Sequence, residues 1–275
     1  MKHFETFYCL FNSKYVIKGI GDNMIIDERQ NKILNLLNEK KFISYKELSK
    51  LLYSSTSTIR RDVSKMHSQG LLVMVKGGVT SVNTNATESS RSLRELEGTT
   101  EKRKIASLAN KYLIDGESYF FDSSTTVGQL VYYLKNFKTT TIVTNSLDTA
   151  FNLIQTTDLD VYLTGGLITK KTNSTTGYFT IDMTKEFNLD AIFLSCKGLS
   201  SDGFITEANV DTQKCKYEML VNAKKKILLI DHTKFNKSYL FRTCSLNDID
   251  IVITDKEPPL EVMELFKKSG VKLIY

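Results

Sequence analysis

Apolar positions recur at helical spacing between residues 27 and 68, three times in succession. Ile33, Leu34, Leu36 and Leu37 form a stripe over residues 27–39, with Asp27 placed to cap its start. Leu48, Leu51 and Leu52 form a second over 44–52, where Ser44 and Glu47 have the spacing of a capping box. Ile59, Val63 and Met66 form a third over 56–68, and Gly70 ends it. Alternation over 71–75, the Gly77-Gly78 pair and a return over 79–82 predict a hairpin. Three helices and a two-stranded hairpin predict a winged helix-turn-helix over residues 24–82, with the helix-turn-helix at about 42–61.

The pattern then changes. Residues 83–100 are rich in Ser, Thr, Asn and Glu, and are expected to be a linker with a short helix near 91–97. A helix over 102–113 follows. Beyond it, near-continuous apolar runs at 118–121, 141–143, 160–163, 191–194, 226–230, 249–253 and 271–274 alternate with helical stretches at 127–135, 146–155, 211–223 and 260–268. Continuous apolar strands alternating with helices predict a parallel α/β sheet covered on both faces, filling residues 101–275. Residues 1–23 hold aromatic and basic residues without a clean apolar core or a cleavage site. They are expected to be a disordered extension rather than a signal peptide, with Met24 a candidate initiator.

Charge sharpens the division. The chain of 275 residues carries a net +6, and residues 24–80 hold ten Lys/Arg against five Asp/Glu. Positive charge concentrated in the winged segment suits a phosphate backbone, although a solvated basic surface would look the same. The cysteines, Cys9, Cys196, Cys215 and Cys244, and the histidines, His3, His67 and His232, are scattered. Neither a disulfide framework nor a metal site is expected, and no cofactor is implied. A reduced, cytoplasmic protein fits this usage, and no apolar run approaches the ~18 residues that suggest a membrane span.

Two sets of residues carry candidate chemistry. In the winged segment, Ser55, Thr56, Ser57 and Thr58 open the recognition helix, where small hydroxyls and free N–H groups suit phosphate. Arg60 and Arg61 can reach guanine edges or clamp phosphates, Lys76 on the wing and Ser44 can hold backbone, and Asp62 can orient a neighbouring arginine. Helix capping by the hydroxyls and a protein-recruiting role for the wing remain open alternatives. In the α/β segment each strand ends on a polar signal: Asp122-Ser123-Ser124-Thr125-Thr126, Thr144-Asn145, Gly165-Gly166, Lys197-Gly198, and Asp231 with Lys234. Parallel strands bring these ends to one rim, where open α/β folds bind ligands. Asp122 and Asp231 can accept from sugar hydroxyls, and Lys197 and Lys234 can neutralise a phosphate. The alternative for Asp122 is a helix cap, and for Lys234 a surface lysine.

These motifs resemble a known family. Asp27-Glu28-Arg29-Gln30 with Ile33-Leu34, Ser55 with Thr58-Ile59-Arg60-Arg61-Asp62-Val63, Gln69-Gly70-Leu71-Leu72 and Gly77-Gly78 are similar to the DeoR-type bacterial transcriptional regulators. Lys76 stands where that family usually has His. The resemblance extends to the sensor segment through Glu101-Lys102 with Ile105-Ala106, Asp122 with Thr125-Thr126, Thr144-Asn145-Ser146, Gly165-Gly166, Lys197-Gly198, and Asp231 with Thr233-Lys234-Phe235. Ser124 replaces a frequent Gly and Lys197 a common Asn. Over residues 24–255 the resemblance implies a repressor of carbohydrate-metabolism genes that binds double-stranded operator DNA. It implies release by a phosphorylated sugar, a homo-oligomer, and a sensor fold similar to ribose-5-phosphate isomerase and CoA transferases. The competing expectation is an isomerase or CoA-transferase-like enzyme with a DNA-binding appendage, in which Glu207 or Asp231 would be base or nucleophile.

Overall fold

The computed structural model describes residues 20–40, 42–81 and 91–275. The chain divides into two compact units, Met1–Val82 and Asn83–Tyr275.

The first unit runs α1 (Ile20–Lys40), β1 (Phe42–Ser44), α2 (Tyr45–Leu51), α3 (Thr56–Ser68), β2 (Val73–Val75) and β3 (Gly78–Thr80). Ile33 and Leu37 of α1, Leu48 of α2, and Ile59, Val63 and Met66 of α3 are buried together with Ile43, Leu72 and Val79. Two expectations are corrected here. Asp27 is not a helix cap, because α1 begins seven residues earlier, at Ile20. Residues 20–23 are therefore helical; the rest of the expected extension, including Cys9 and His3, lies outside the described residues, as does the linker stretch 82–90.

The wing is a three-stranded sheet of order β1-β3-β2 rather than a two-stranded hairpin. Gly77 and Gly78 serve it differently. Gly77 has φ +89, a left-handed turn conformation that favours glycine. Gly78 pairs with Ser44, and a Cβ there would lie 2.3 Å from the Ile43 carbonyl oxygen. The pairing of β3 against β1 needs that absence.

The second unit opens with α4 (Arg91–Leu96) and α5 (Thr99–Ala109), so the end of the expected linker is helical, broken at Gly98, which has φ +59. Leu93 is buried, which explains why a polar-looking stretch is ordered. A parallel sheet follows, built from β4 (Ser118–Phe121), β5 (Thr141–Thr144), β6 (Asp160–Leu163), β9 (Leu189–Leu194), β12 (Ala223–Leu229), β14 (Ile251–Ile253) and β15 (Lys272–Ile274). Their order is β15-β14-β12-β9-β4-β5-β6, and every pairing is parallel. Alternate residues feed opposite faces. Phe120, Ile192, Leu194 and Leu228 enter one core; Tyr119, Phe121, Phe193 and Ile227 enter the other. Helices α6 (Leu147–Thr156), α8 (Val210–Val221) and α9 (Leu260–Ser269) match the apolar stripes, while the stretch at 127–135 is a 3-10 helix, Val127–Tyr133.

Smaller elements were not expected from the pattern. The hairpin β7 (Leu167–Thr169) and β8 (Ser174–Thr176) precedes α7 (Tyr178–Thr184), and β10 (Gly198–Leu199), β11 (Phe204–Glu207) and β13 (Phe241–Ser245) form an antiparallel sheet. Among the described residues no helix is long and apolar enough to cross a membrane.

Candidate functional site

In the first unit, α3 presents the predicted nucleic-acid residues on its first two turns. Ser55 caps the helix: its hydroxyl accepts the Thr58 N–H at 3.2 Å and lies 2.8 Å from the hydroxyls of Ser57 and Thr58. Ser55, Thr56, Ser57, Arg60 and Arg61 are exposed. The Arg60 guanidinium stacks 4.6 Å from the ring centroid of buried Tyr45, which fixes its direction of departure. Asp62 is the one acid on α3, and it is buried with its carboxylate 2.5 Å from Arg29 of α1. The exposed face of α3 is thereby left wholly basic or neutral. Ser44 caps α2 by accepting the Glu47 N–H at 3.2 Å, and Glu47 pairs with Lys40 at 2.7 Å instead of completing a capping box. Lys76 is exposed in the turn between β2 and β3.

In the second unit the strand order places a topological switch between β4 and β9. From β4 the chain steps outward through β5 to β6; from β9 it steps the other way through β12, β14 and β15. Connections that leave neighbouring strands in opposite directions open a crevice at the strands' carboxyl ends. Asp122 follows β4 there and Ser195-Cys196-Lys197 follows β9. Asp122 is 1% exposed and fully engaged: it accepts N–H bonds from Ser124 at 2.9 Å and Ser195 at 3.0 Å. The Lys216 ammonium lies 3.2 Å from Asp122 and 2.6 Å from Glu207, and donates to the Ser195 carbonyl at 2.6 Å. Burial opposes the charge on Lys216, but the Glu207 and Asp122 carboxylates outweigh it and hold its pKa above the usual value. Glu207 is therefore tied into a buried ion-pair network beneath the rim. Cys196 is buried, and desolvation pushes its thiol up to about 12, which leaves it unreactive.

Beside this network sits a group of charges drawn from three parts of the chain. Lys234 lies 3.0 Å from the Ser195 hydroxyl and 3.4 Å from Asp231. Asp231 accepts the Thr233 N–H at 3.1 Å; burial raises its pKa, but Lys234 and Thr233 bring the net shift downward. Lys102 of α5 donates to the carbonyls of Arg94 and Glu97 and is 6% exposed. Its pKa falls to about 8, first through burial and then through repulsion from Lys234. Glu97 is shifted upward by burial, in the field of Lys102, Lys197, Asp231 and Arg94. Lys197 stands 5.6 Å from the Tyr239 ring centroid.

Other predicted rim residues take architectural positions. The Ser123 carbonyl accepts from Arg91 at 2.7 Å, the Ser124 hydroxyl accepts the Val127 N–H at 3.2 Å, and Thr125 donates to the Arg94 carbonyl at 3.3 Å. Thr126 is buried at the start of the 3-10 helix. The Thr144 hydroxyl donates to the Phe121 carbonyl at 2.7 Å and so ties β5 to β4. Asn145 donates to the Thr175 carbonyl at 3.1 Å, and its buried Oδ1 has no hydrogen-bond partner among the described residues. Gly165 and Gly166 lie at the outer edge, after β6; a Cβ on Gly166 would meet the Thr180 hydroxyl at 2.3 Å. Gly198 permits the backbone of Lys237 to approach, since a Cβ would stand 2.4 Å from its carbonyl oxygen.

Sequence reasoning missed the roles of Lys102, Lys216, Arg94 and Glu97. A signal was present for the lysines. Lys102 shares a helical stripe with Ile105, Ala106 and Ala109, and Lys216 shares one with Cys215, Met219 and Leu220, all buried. Asp62 sits likewise among Ile59, Val63 and Met66. A charge on an apolar stripe implies a buried partner.

Comparison with known proteins matches both units. The DeoR C terminal sensor domain matches residues 97–256, and the DeoR-like helix-turn-helix domain matches residues 29–85. The chain belongs to the DeoR family of transcriptional regulators. Its relatives include the glycerol-3-phosphate regulon repressor of Escherichia coli, 30% identical over 250 residues, covering 90% of this chain and 97% of the relative. The transcriptional repressor GlcR of Bacillus subtilis is 31% identical, covering 91% and 96%. The regulator GlpR of Haloferax volcanii is 31% identical, covering 91% and 98%. Among solved structures, ribose 5-phosphate isomerase A from Methanocaldococcus jannaschii aligns at TM-score 0.37 and 16% identity over 49% of this chain and 53% of that one. This DeoR-family chain is a DNA-binding transcriptional regulator and not an enzyme, and on that ground the enzymatic expectation for Glu207 and Asp231 is set aside.

Proposed function

We propose that this regulator is a cytoplasmic repressor of carbohydrate-metabolism genes, with α3 as its operator-reading helix and the β4/β9 rim as the seat of a phosphorylated sugar or sugar derivative. Ser55, Thr56, Ser57, Thr58, Arg60 and Arg61 contact the operator, with Ser44 and Lys76 on flanking phosphates. A homo-oligomer matches a symmetric operator. The observation that carries the effector reading is the charge around Lys102. Four cations, Arg94, Lys102, Lys197 and Lys234, share the rim with two carboxylates, Glu97 and Asp231. Lys102 is destabilised as a cation by its burial and by Lys234, and an arriving phosphate dianion relieves that. Of the predicted polar ends, Asp122, Ser123, Ser124, Thr125, Thr126, Gly198 and Asp231 flank this crevice, and Thr144, Asn145, Gly165 and Gly166 follow β5 and β6 farther along the same rim. The named functions of the relatives, a glycerol-3-phosphate regulon repressor among them, support the same effector class.

The test uses an operator fragment selected from a randomised duplex pool and a panel of sugar phosphates. Wild type releases the fragment with one member of the panel. Lys197→Ser/Lys234→Ser binds the fragment equally but is not released. Arg60→Ala weakens binding and flattens its dependence on log salt by about one unit. Release of the double variant at the wild-type effector concentration, or an unchanged Arg60→Ala titration, overturns the respective assignment. An effector acts only through different affinity for the two states, so tight binding without release also counts against the proposal.

A further inference from the structure

We propose that the second unit holds a second small-molecule site, for the phosphate group of a metabolite, outside the rim and on the solvent side of the helical layer. A cavity of about 410 Å³ lies between α4, α5, the 3-10 helix and α6. That is within the size range of small-ligand sites. Asp122, Lys197, Asp231 and Lys234 do not line it; of the predicted rim residues Thr125 alone does.

Its inner end is built around Gly128. A Cβ at that position would lie 3.7 Å from Arg91 Nη2 and 3.9 Å from the Thr149 hydroxyl. The space above Gly128 is therefore bordered by a guanidinium nitrogen and a hydroxyl. The Thr149 hydroxyl is buried, the residue being 1% exposed, and has no hydrogen-bond partner among the described residues. A buried donor left in that state is unfavourable by about 1–3 kcal/mol until something accepts from it. Arg91 is held from behind: Nη1 donates to the Ser123 carbonyl at 2.7 Å, and Nε pairs with Glu95 at 3.0 Å and with Asp148. Two of its nitrogens are thus fixed while the third borders the cavity. At the mouth stand Arg103 and Lys135, both exposed and neither in an ion pair with a described residue. A tetrahedral oxyanion accepts from several directions at once, which suits a hydroxyl, a fixed guanidinium and two exposed cations better than a planar or apolar group does. An apolar occupant would leave the Thr149 hydroxyl unmet.

Equilibrium dialysis of the full chain against radiolabelled inorganic pyrophosphate counts the sites. Wild type is expected to hold two per chain, and one remains in Lys197→Ser/Lys234→Ser. One also remains in Gly128→Leu, whose side chain fills the cavity, and in Arg103→Ser/Lys135→Ser, whose substitutions are on the surface and spare the fold. The surface pair raises Kd at the second site at least tenfold, and decides the matter if Gly128→Leu does not fold. Acetate at equal concentration does not compete. A single site lost only in the rim variant overturns this proposal and leaves the rim reading standing. A single site lost only in the cavity variants supports it and removes phosphate from the rim. Binding indifferent to every cavity variant, or equal competition by acetate, overturns it.

Discussion

Replacing Lys216 by Met removes the counter-charge of two carboxylates in the interior. The ammonium lies 2.6 Å from Glu207 and 3.2 Å from Asp122, and neither acid is more than 3% exposed. At an effective dielectric of about 20 these distances correspond to attractions of about 6 and 5 kcal/mol. Much of that is offset by the desolvation of three ions, so the net worth of the trio in the wild type is small. Truncation is different, because desolvation of the acids persists while the attraction is gone. The expected loss is about 3–5 kcal/mol, a large share of a domain stability of about 5–15 kcal/mol. With m near 2 kcal/mol/M in urea, the midpoint of the second unit falls by roughly 1.5–2.5 M. The chain contains no tryptophan, so far-UV circular dichroism is the readout. Adding Glu207→Gln to Lys216→Met recovers part of the loss. A midpoint shift below about 0.5 M would refute a buried ion-pair network beneath the rim.

Lys102 has its pKa lowered from 10.5 to about 8 in the folded chain. Its penalty is fully present below pH 8 and is relieved as pH rises toward its unfolded value, so stability attributable to it increases across that window. A bound phosphate restores the charge, so binding at pH 9 takes up close to one proton and at pH 7 almost none; calorimetry in two buffers of different ionisation enthalpy measures this, and equal heats at pH 9 would contradict it. Asp62→Ala leaves Arg29 without its partner and destabilises the first unit by about 2 kcal/mol, while affinity for DNA at low temperature is unchanged. A tenfold loss of affinity with the fold intact would mean that Asp62 touches the operator.

The elements legible in the sequence are those whose residues declare their environment locally. Runs such as Tyr119-Phe120-Phe121 and Ile192-Phe193-Leu194 are apolar on both faces, which only a covered parallel strand requires. Ser174-Thr175-Thr176 is equally buried yet reads as loop, because its hydroxyls are satisfied by Thr164, Thr169 and Thr172 rather than by water. The short antiparallel strands have two to five residues and depend on partners as remote as Cys244 for Ile205. The rim itself follows from strand ends in sequence. What it does with each residue does not, since Asp122 is occupied by Ser195 and Lys216, 73 and 94 positions away. Lys216 and Lys102 lie on helical stripes whose burial only the fold reveals.

The pairing of β4 with β9 bears on how the molecule comes together. Every other contact between neighbouring strands of the large sheet joins segments close in sequence: β4 to β5 to β6 on one side, β9 through β15 on the other. Only the seam joins Tyr119 to Ala191 and Phe121 to Phe193. Closing it demands the longest loop in the sheet and belongs late in folding, after both flanks have local structure. During synthesis the winged unit is complete long before β9 leaves the ribosome. A nascent chain therefore holds its helix-turn-helix before it holds a crevice, and a ligand seated across the seam binds only the finished sheet, slowing its parting and lengthening the life of the folded chain.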